Sequence, residues 1–284
     1  MVATRNPTLR AQWLGKMLRD LREGNGLTLK EAAEFLQRSV STLSRFESGT
    51  LPISRADVVA LMNLYGVEGD VQRTAMLHLA DEISRTGWWD KYSKDVTRTT
   101  IDYLWLESRA EQMRIFNPLL VTGILQTRQY AEEVIRVGSP HASSQQVERW
   151  VEVRMNRQEI FRRESPIELT FILDEAVLRR PVGGATVMVN QLRHLREMVQ
   201  RHVAEVLVLP YRVGAYPTSD GPFSLLKMPE PYPEVVHVEN AAGMILLEAD
   251  DVLRFAELYA GMQERCLNAA ESAEFIATVE KDLS

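Results

Sequence analysis

The sequence predicts an all-α amino-terminal domain of five helices followed by an α+β domain with a mixed sheet. Three observations lead there. From residue 8 to residue 84 apolar residues recur at helical spacing, and several of the runs open on a capping residue. Beyond Pro166 the period shortens to alternation in five separate stretches. The charge is also uneven: nine basic and six acidic residues in the first 66 leave +3 there and −9 over the remainder of a chain of net charge −6. A length of 284 residues with 45% hydrophobic content is enough to bury at least one full core, in one or two domains.

In the first run Leu9, Trp13, Leu14, Met17, Leu18 and Leu21 share one side of a helix, Lys and Arg take the other, and GNG at 24–26 ends it. Thr28 followed by Glu31 is a capping box, so a second, short helix runs to Leu36. After a break at Gln37-Arg38, Ser39 is a good N-cap for a third helix, and Gly49 is placed to stop it. Ser54 and Asp57 open a fourth carrying Val58, Leu61, Met62 and Leu64, and residues 71–84 make a fifth. A connector, RTGWWDKYSKDVTRTT, follows, which sets the domains at 1–86 and 87–284.

Two short helices joined by a tight turn form a helix-turn-helix, whose second helix must keep one face for packing and one for DNA. Leu43 and Phe46 turn inward with Val40 at the margin, while Ser41, Thr42, Ser44, Arg45 and Ser48 stay outward. Small hydroxyl residues let such a helix sit deep in a major groove, and one Arg paired with guanine O6 and N7 gives about 1–3 kcal/mol of discrimination. The same spacing also suits a solvated helix in a small helical domain. A mildly basic head on an acidic body fits a small nucleic-acid reader attached to a larger domain that does not bind nucleic acid.

In the second domain residues 101–117, 127–137 and 144–164 read as helices. IELTFIL then alternates into a strand, TVMVNQLRHLREMVQ returns to helix, and AEVLVLP, GPFSLLKM, EVVHVE and AGMILLE read as strands before helices at 251–267 and 270–282. One parallel crossover is expected. The longest apolar runs are broken well before about 18 residues, and Cys266 is the single cysteine, so a soluble cytoplasmic protein in a reducing compartment is expected, with no membrane partner.

Catalysis is not expected. His78, His141, His194, His202 and His237 form no metal-ligand spacing, and no nucleophile-elbow, Walker or dinucleotide glycine motif is present, so neither a metal nor a cofactor is implied. Asp174-Glu175 is the best acid pair, but a helix N-cap with its first-turn acid explains it as well. The most suggestive feature outside the head is LRRPVGG, where Arg179 and Arg180 precede Gly183 and Gly184 at a helix start. Helix amides and two guanidiniums would suit an anion; alternatively the glycines supply positive φ to a turn and the arginines pair with acidic neighbours. The loop PYRVGAYPTSDGPF suits a peptide partner, or plain packing.

LGKMLRDLREGNGLTLKEAAEFLQRSVSTLSRFESGTLPIS resembles the helix-turn-helix domain of the lambda-repressor-like XRE regulators over residues 9–66. The resemblance implies that Ser41, Thr42 and Arg45 face base edges and that Lys30, Ser39, Ser44, Ser48 and Thr50 meet phosphates, while Glu47 ties its helix to neighbouring basic residues. Gln37 stands where the family usually has Gly, and Arg38 where it has a small apolar residue. A looser turn is expected, with Arg38 a further phosphate contact. Leu29 replaces a Gln that often touches phosphate, which moves that contact to Lys30 or removes it.

GWWDKY, ESRAEQMRIFNPLLVTGILQTRQYA, VEVRMNRQEIF, LDEAVLRRPVGG, LPYRVGAYPTSDGPFSLL and VVHVEN occur in the order seen in the large carboxy-terminal domain of WhiJ-like regulators of actinobacteria. That resemblance spans 88–282, with Val121-Thr122 where a Pro is usual. It implies a transcriptional regulator; since a single small head seldom gives enough specific affinity, a homodimer on a pseudo-palindromic site of double-stranded DNA is expected, controlled by a small-molecule effector or a small partner protein. An antitoxin-like module that captures a partner protein and binds DNA for autoregulation is the alternative. A third reading, an enzyme fused to the head, would show as turnover lost on Asp174→Asn or Arg180→Ala.

Overall fold

The structure, a computed structural model, describes residues 7–84, 87–217, 221–230, 232–240 and 243–284. It divides into two compact units, Met1–Asp90 and Lys91–Ser284. The described residues of the first form α1 (Leu9–Gly24), α2 (Leu29–Phe35), α3 (Val40–Glu47), α4 (Arg55–Leu64) and α5 (Asp70–Ser84). The expected capping residues start three of them: the side chains of Thr28, Ser39 and Ser54 accept backbone N–H groups from Glu31, Thr42 and Asp57. At Thr28 the capping box is complete, and the backbone and hydroxyl donors there hold the Glu31 carboxyl below its usual pKa range.

The core of the head is the inner side of these helices, with Leu14, Leu18, Leu43, Leu61, Met62, Met76 and Leu79 fully buried. Helix α1 meets the end of α3 at very short range. A Cβ on Gly15 would stand 2.5 Å from the Glu47 carbonyl oxygen, and one on Gly49, which is at φ +67°, 2.7 Å from the Ala11 backbone. Only glycine allows this approach.

The turn between α2 and α3 is not looser than usual, contrary to what the sequence suggests. Gln37 itself takes the left-handed conformation at φ 53°, and its N–H and that of Arg38 bond back to the Glu34 and Ala33 carbonyls at 3.0 and 2.9 Å. Left-handed backbone costs a residue with a Cβ about 1–2 kcal/mol, part of which glycine gives back through its freer unfolded chain. Gln37→Gly is therefore expected to stabilise the head by about 0.5–1 kcal/mol, read as a higher urea midpoint with unchanged DNA affinity. A lower midpoint would show that the Gln37 side chain contributes more than its backbone strain.

In the second unit the described elements are α6 (Arg98–Arg109), β1 (Gln112–Asn117), α7 (Arg128–Gly138), α8 (Ser144–Asn156), β2 (Glu168–Asp174), α9 (Glu175–Arg179), α10 (Gly184–Gln200), β3 (Glu205–Leu209), β4 (Phe223–Lys227), β5 (Val235–Asn240), β6 (Gly243–Leu247), α11 (Asp250–Gln263) and α12 (Ala269–Leu283). The strands form one mixed sheet in the order β3-β2-β1-β4-β5-β6. β1 pairs parallel with β2, and β2 with β3; the other pairs are antiparallel. Two parallel pairings therefore replace the single crossover expected.

The helix expected over 101–117 is a correction of more weight. It stops at Arg109: Ala110 turns to ψ 142°, and the Glu111 N–H bonds to the Lys227 carbonyl at 2.8 Å. Residues 112–117 are a strand at the middle of the sheet. Its apolar residues Met113, Ile115 and Phe116 fit a helical stripe as well as a strand buried on both faces, and so short a run does not separate the two. The helix over 144–164 likewise ends at Asn156 and continues as a tighter 3-10 helix, Arg157–Arg162.

One face of the sheet packs against α11. Phe116, Ile172, Leu207, Phe223 and Val236 share a core cluster with Val252, Tyr259 and Met262 of α11. The edge strand β3 is closed by the other carboxy-terminal helix: Ser272 Oγ accepts the Val208 N–H at 3.0 Å, and the Leu267 N–H bonds to the Val208 carbonyl at 2.9 Å.

Candidate nucleic-acid interface

The recognition helix is built from its buried side outward. Leu43, Phe46 and Glu47 of α3 are buried, and Ala32 and Ala33 of α2 are small enough to let the two helices cross closely. Glu47 is the electrostatic fixture. Arg22 of α1 donates to both its carboxylate oxygens, Nε to Oε1 at 2.6 Å and Nη2 to Oε2 at 3.0 Å, and Arg19 approaches at 3.5 Å. Hydrogen bonds to Glu47 hold the Arg22 pKa above its ordinary value against the opposing effect of burial. The tie expected of Glu47 is thus present, and it fixes the roll of α3 relative to α1.

On the other side, Ser41, Ser44, Arg45 and Ser48 are exposed and Thr42 is half-buried. Among the described residues no side chain or backbone group bonds to the Arg45 guanidinium. Ser39 and Thr42 share a 2.9 Å hydrogen bond at the start of α3, which orients both hydroxyls. Ser48 and Thr50 share another at 2.9 Å, and each reaches the Arg45 carbonyl at 3.3 Å. Lys30 is exposed on α2 and meets Glu34 only at 3.9 Å. Arg38 approaches Asp57 at 3.6 Å with half its side chain in solvent. All nine residues therefore lie on α2, α3 or the segments that flank α3.

Two apolar residues belong to this face that the sequence did not single out as exposed. Phe35 at the end of α2 is 51% exposed and Val40 at the start of α3 is 45% exposed, on either side of the turn. Ala32 and Ala33 fill the core instead, which turns Phe35 outward. Apolar side chains beside a recognition helix suit the thymine methyl group.

A model of a helix-turn-helix domain matches residues 13–76. The first unit is thus a helix-turn-helix domain, the DNA-binding part of a transcriptional regulator. A second model, described as a domain of unknown function, DUF5753, matches residues 100–278. The chain belongs to the DUF5753 family. No curated protein and no solved structure matches it. Among the described residues no helix is long and apolar enough to cross a membrane.

Within the DUF5753 domain, Arg179 pairs with Glu175 at 2.6 Å and lies over the Phe275 ring, while Arg180 reaches the Leu119 carbonyl at 3.5 Å. Gly183 and Gly184 begin α10 at φ 68° and 83°. Asp174 caps α9 by accepting the Ala176 N–H at 2.8 Å, and Glu175 also accepts the Tyr211 N–H at 2.9 Å. Both acids therefore have structural work. Among the described residues no group of three or more His, Cys, Asp or Glu is placed to hold a metal. Burial pushes the Cys266 thiol up to about 12, so its thiolate is scarce at neutral pH.

A different polar group in the DUF5753 domain escaped the sequence reading. Arg157 forms a two-pronged bond to Glu107 at 2.9 and 2.6 Å and stacks over Tyr103, whose ring lies 4.1 Å from that of His237. Burial opposes the charge on Arg157, but Glu107 more than offsets it and raises the pKa. Three elements distant in sequence, α6, the 3-10 helix at Arg157–Arg162 and β5, supply these side chains. The available signal was Arg154 and Arg157, three apart beside the apolar stripe of α8.

Proposed function

We propose that this protein is a sequence-specific transcriptional regulator of the WhiJ-like subtype, acting in the cytoplasm as a homodimer on a pseudo-palindromic operator. One observation carries the reading: α3 buries Leu43, Phe46 and Glu47 and turns outward an Arg45 to which no group in the described residues bonds. In a major groove Ser41, Thr42 and Arg45 reach base edges, and Lys30, Arg38, Ser39, Ser44, Ser48 and Thr50 meet phosphates, which set register without reading sequence. Two heads supply the specific affinity that one small head rarely gives. The DUF5753 domain carries out no catalysis; it controls occupancy through a ligand or a small partner that binds one DNA-competence state better than the other.

The test is a salt-dependent anisotropy titration of the whole protein against its own upstream region and a scrambled duplex. Arg45→Ala is expected to cost about 1–3 kcal/mol on the specific duplex and little on the scrambled one. Lys30→Ala should weaken both similarly and lower the salt slope by about one contact. Equal losses on both duplexes for Arg45→Ala would remove the base-reading role.

A further inference from the structure

The sheet pairing sets Ile115 of β1 beside Ser224 of β4, and Ser224 beside His237 of β5, in one row across the strands. This row is the floor of a cleft of about 660 Å³, a volume suited to a small organic molecule. Its walls come from Tyr103 of α6, the Thr122-Gly123 segment, and Trp150, Val153 and Arg154 of α8. Three polar groups in these walls lack what burial ordinarily requires. His237 is 6% exposed and its Nε2 has no hydrogen-bond partner; Thr122 is also 6% exposed and its Oγ1 has none. Arg154 donates Nη1 to Gln126 Oε1 at 2.9 Å, and no carboxylate lies within ion-pair distance of it among the described residues. Buried polar groups are nearly always satisfied, so two unsatisfied ones beside a guanidinium without a salt bridge, around one cavity, mark a place for a ligand.

We propose that this cleft binds a small monocarboxylate with an apolar body, its carboxylate on Arg154 with Thr122 Oγ1 and His237 Nε2 as further partners. The charges select that class. Arg157 is neutralised by Glu107, whereas Arg154 has no salt bridge among the described residues and feels only the more distant charge of Glu239; that exposed carboxylate at the mouth opposes a second negative charge. Burial, together with the neighbouring Arg157, lowers Arg154 to about 10, still cationic at neutral pH. The same two causes push His237 down to about 3, so it is a neutral imidazole that offers a hydrogen bond and no charge. Gly123 keeps the floor of the anion position open: a Cβ there would lie 2.9 Å from Arg157 Nη1 and 3.7 Å from Arg154 Nε. Ile115, Ile135, Val153 and Met244 supply apolar lining for the rest of the molecule. The proposal concerns the second unit alone and stands or falls independently of how the head reads DNA.

The test is calorimetric titration of the full chain with phenylacetate, naphthoate and octanoate, each beside its primary amide, and with naphthyl phosphate. At least one carboxylate should bind, with its amide and the phosphate weaker. Arg154→Gln should weaken that carboxylate about tenfold or more. Because Arg154→Gln removes a buried charge, Thr122→Val provides the second readout: it replaces an unsatisfied hydroxyl by a methyl, so it should raise the unfolding midpoint of the free protein while weakening the carboxylate about threefold or more. A purely structural Thr122 would not produce those two changes together. No binding by any of the three acids, equal binding of acid and amide, tighter binding of the phosphate, or affinity unchanged in both variants would each overturn the proposal.

Discussion

Glu47→Ala should destabilise the amino-terminal unit by about 3 kcal/mol, because it leaves the buried Arg22 guanidinium with only the largely exposed Glu23 carboxylate as counter-ion. Arg22 and Glu47 are both almost wholly buried, and the two bonds between them are short. Solvent therefore does not screen the pair as it screens the exposed Arg55–Asp81 pair, whose loss should change stability by less than about 1 kcal/mol. Hydrogen exchange followed on peptides from residues 9–64 of the full chain isolates this unit from the second one. DNA binding should fall with the folded fraction, although Glu47 faces away from the groove. A double variant, Arg22→Met with Glu47→Leu, should recover much of the stability, since an apolar pair of similar volume removes both desolvation penalties. A loss under about 1 kcal/mol for Glu47→Ala would mean that the carboxylate is not the anchor its geometry indicates.

Phe116→Ala should cost the second unit about 3–5 kcal/mol, the range for emptying a buried aromatic position. Phe116 is fully buried and packs at 5.7 Å from Tyr216 and 5.9 Å from Phe223, with Ile172 as its neighbour on β2. Leu253→Ala on the exposed side of α11 is the control and should stay within about 0.5 kcal/mol. Exchange protection of the β2 and β4 amides should drop together in Phe116→Ala, since both strands bond to β1. Were residues 101–117 one continuous helix, β2 and β4 would not respond in concert. The measurement thus tests the central strand as well as the packing.

The contrast between these two residues shows what the sequence carried. The capping residues at 28, 39 and 54 and the outward hydroxyls of α3 were legible because each depends on partners a few residues away or on a short, well-spaced motif, whereas the tie made by Glu47, to an Arg22 far along the chain, came only with the family resemblance. Phe116 was placed in a helix because Met113, Ile115 and Phe116 satisfy two periods at once, and what decides between them is pairing with β2 and β4, far along the chain. Gln37 was misread for a related reason: a left-handed residue without a glycine leaves no local mark, and the surrounding helices impose it. The cleft was hidden further still. Arg154 and Arg157 stood out only as charges beside an apolar stripe, and His237 as one polar residue in VVHVE; their proximity exists only once the sheet order is known.

That order also governs when each half of the molecule can form. Every helix of the amino-terminal unit closes on segments already made, so the unit can fold as soon as residue 84 has left the ribosome. Met113 cannot complete its hydrogen bonds until Leu169 and then Leu226 have emerged, which at ordinary synthesis rates is a wait on the order of ten seconds. During that interval a structured DNA-binding head hangs from a ribosome while the central strand of the sheet, β1, waits without its partners. The DNA-binding head is thus complete before the DUF5753 domain exists.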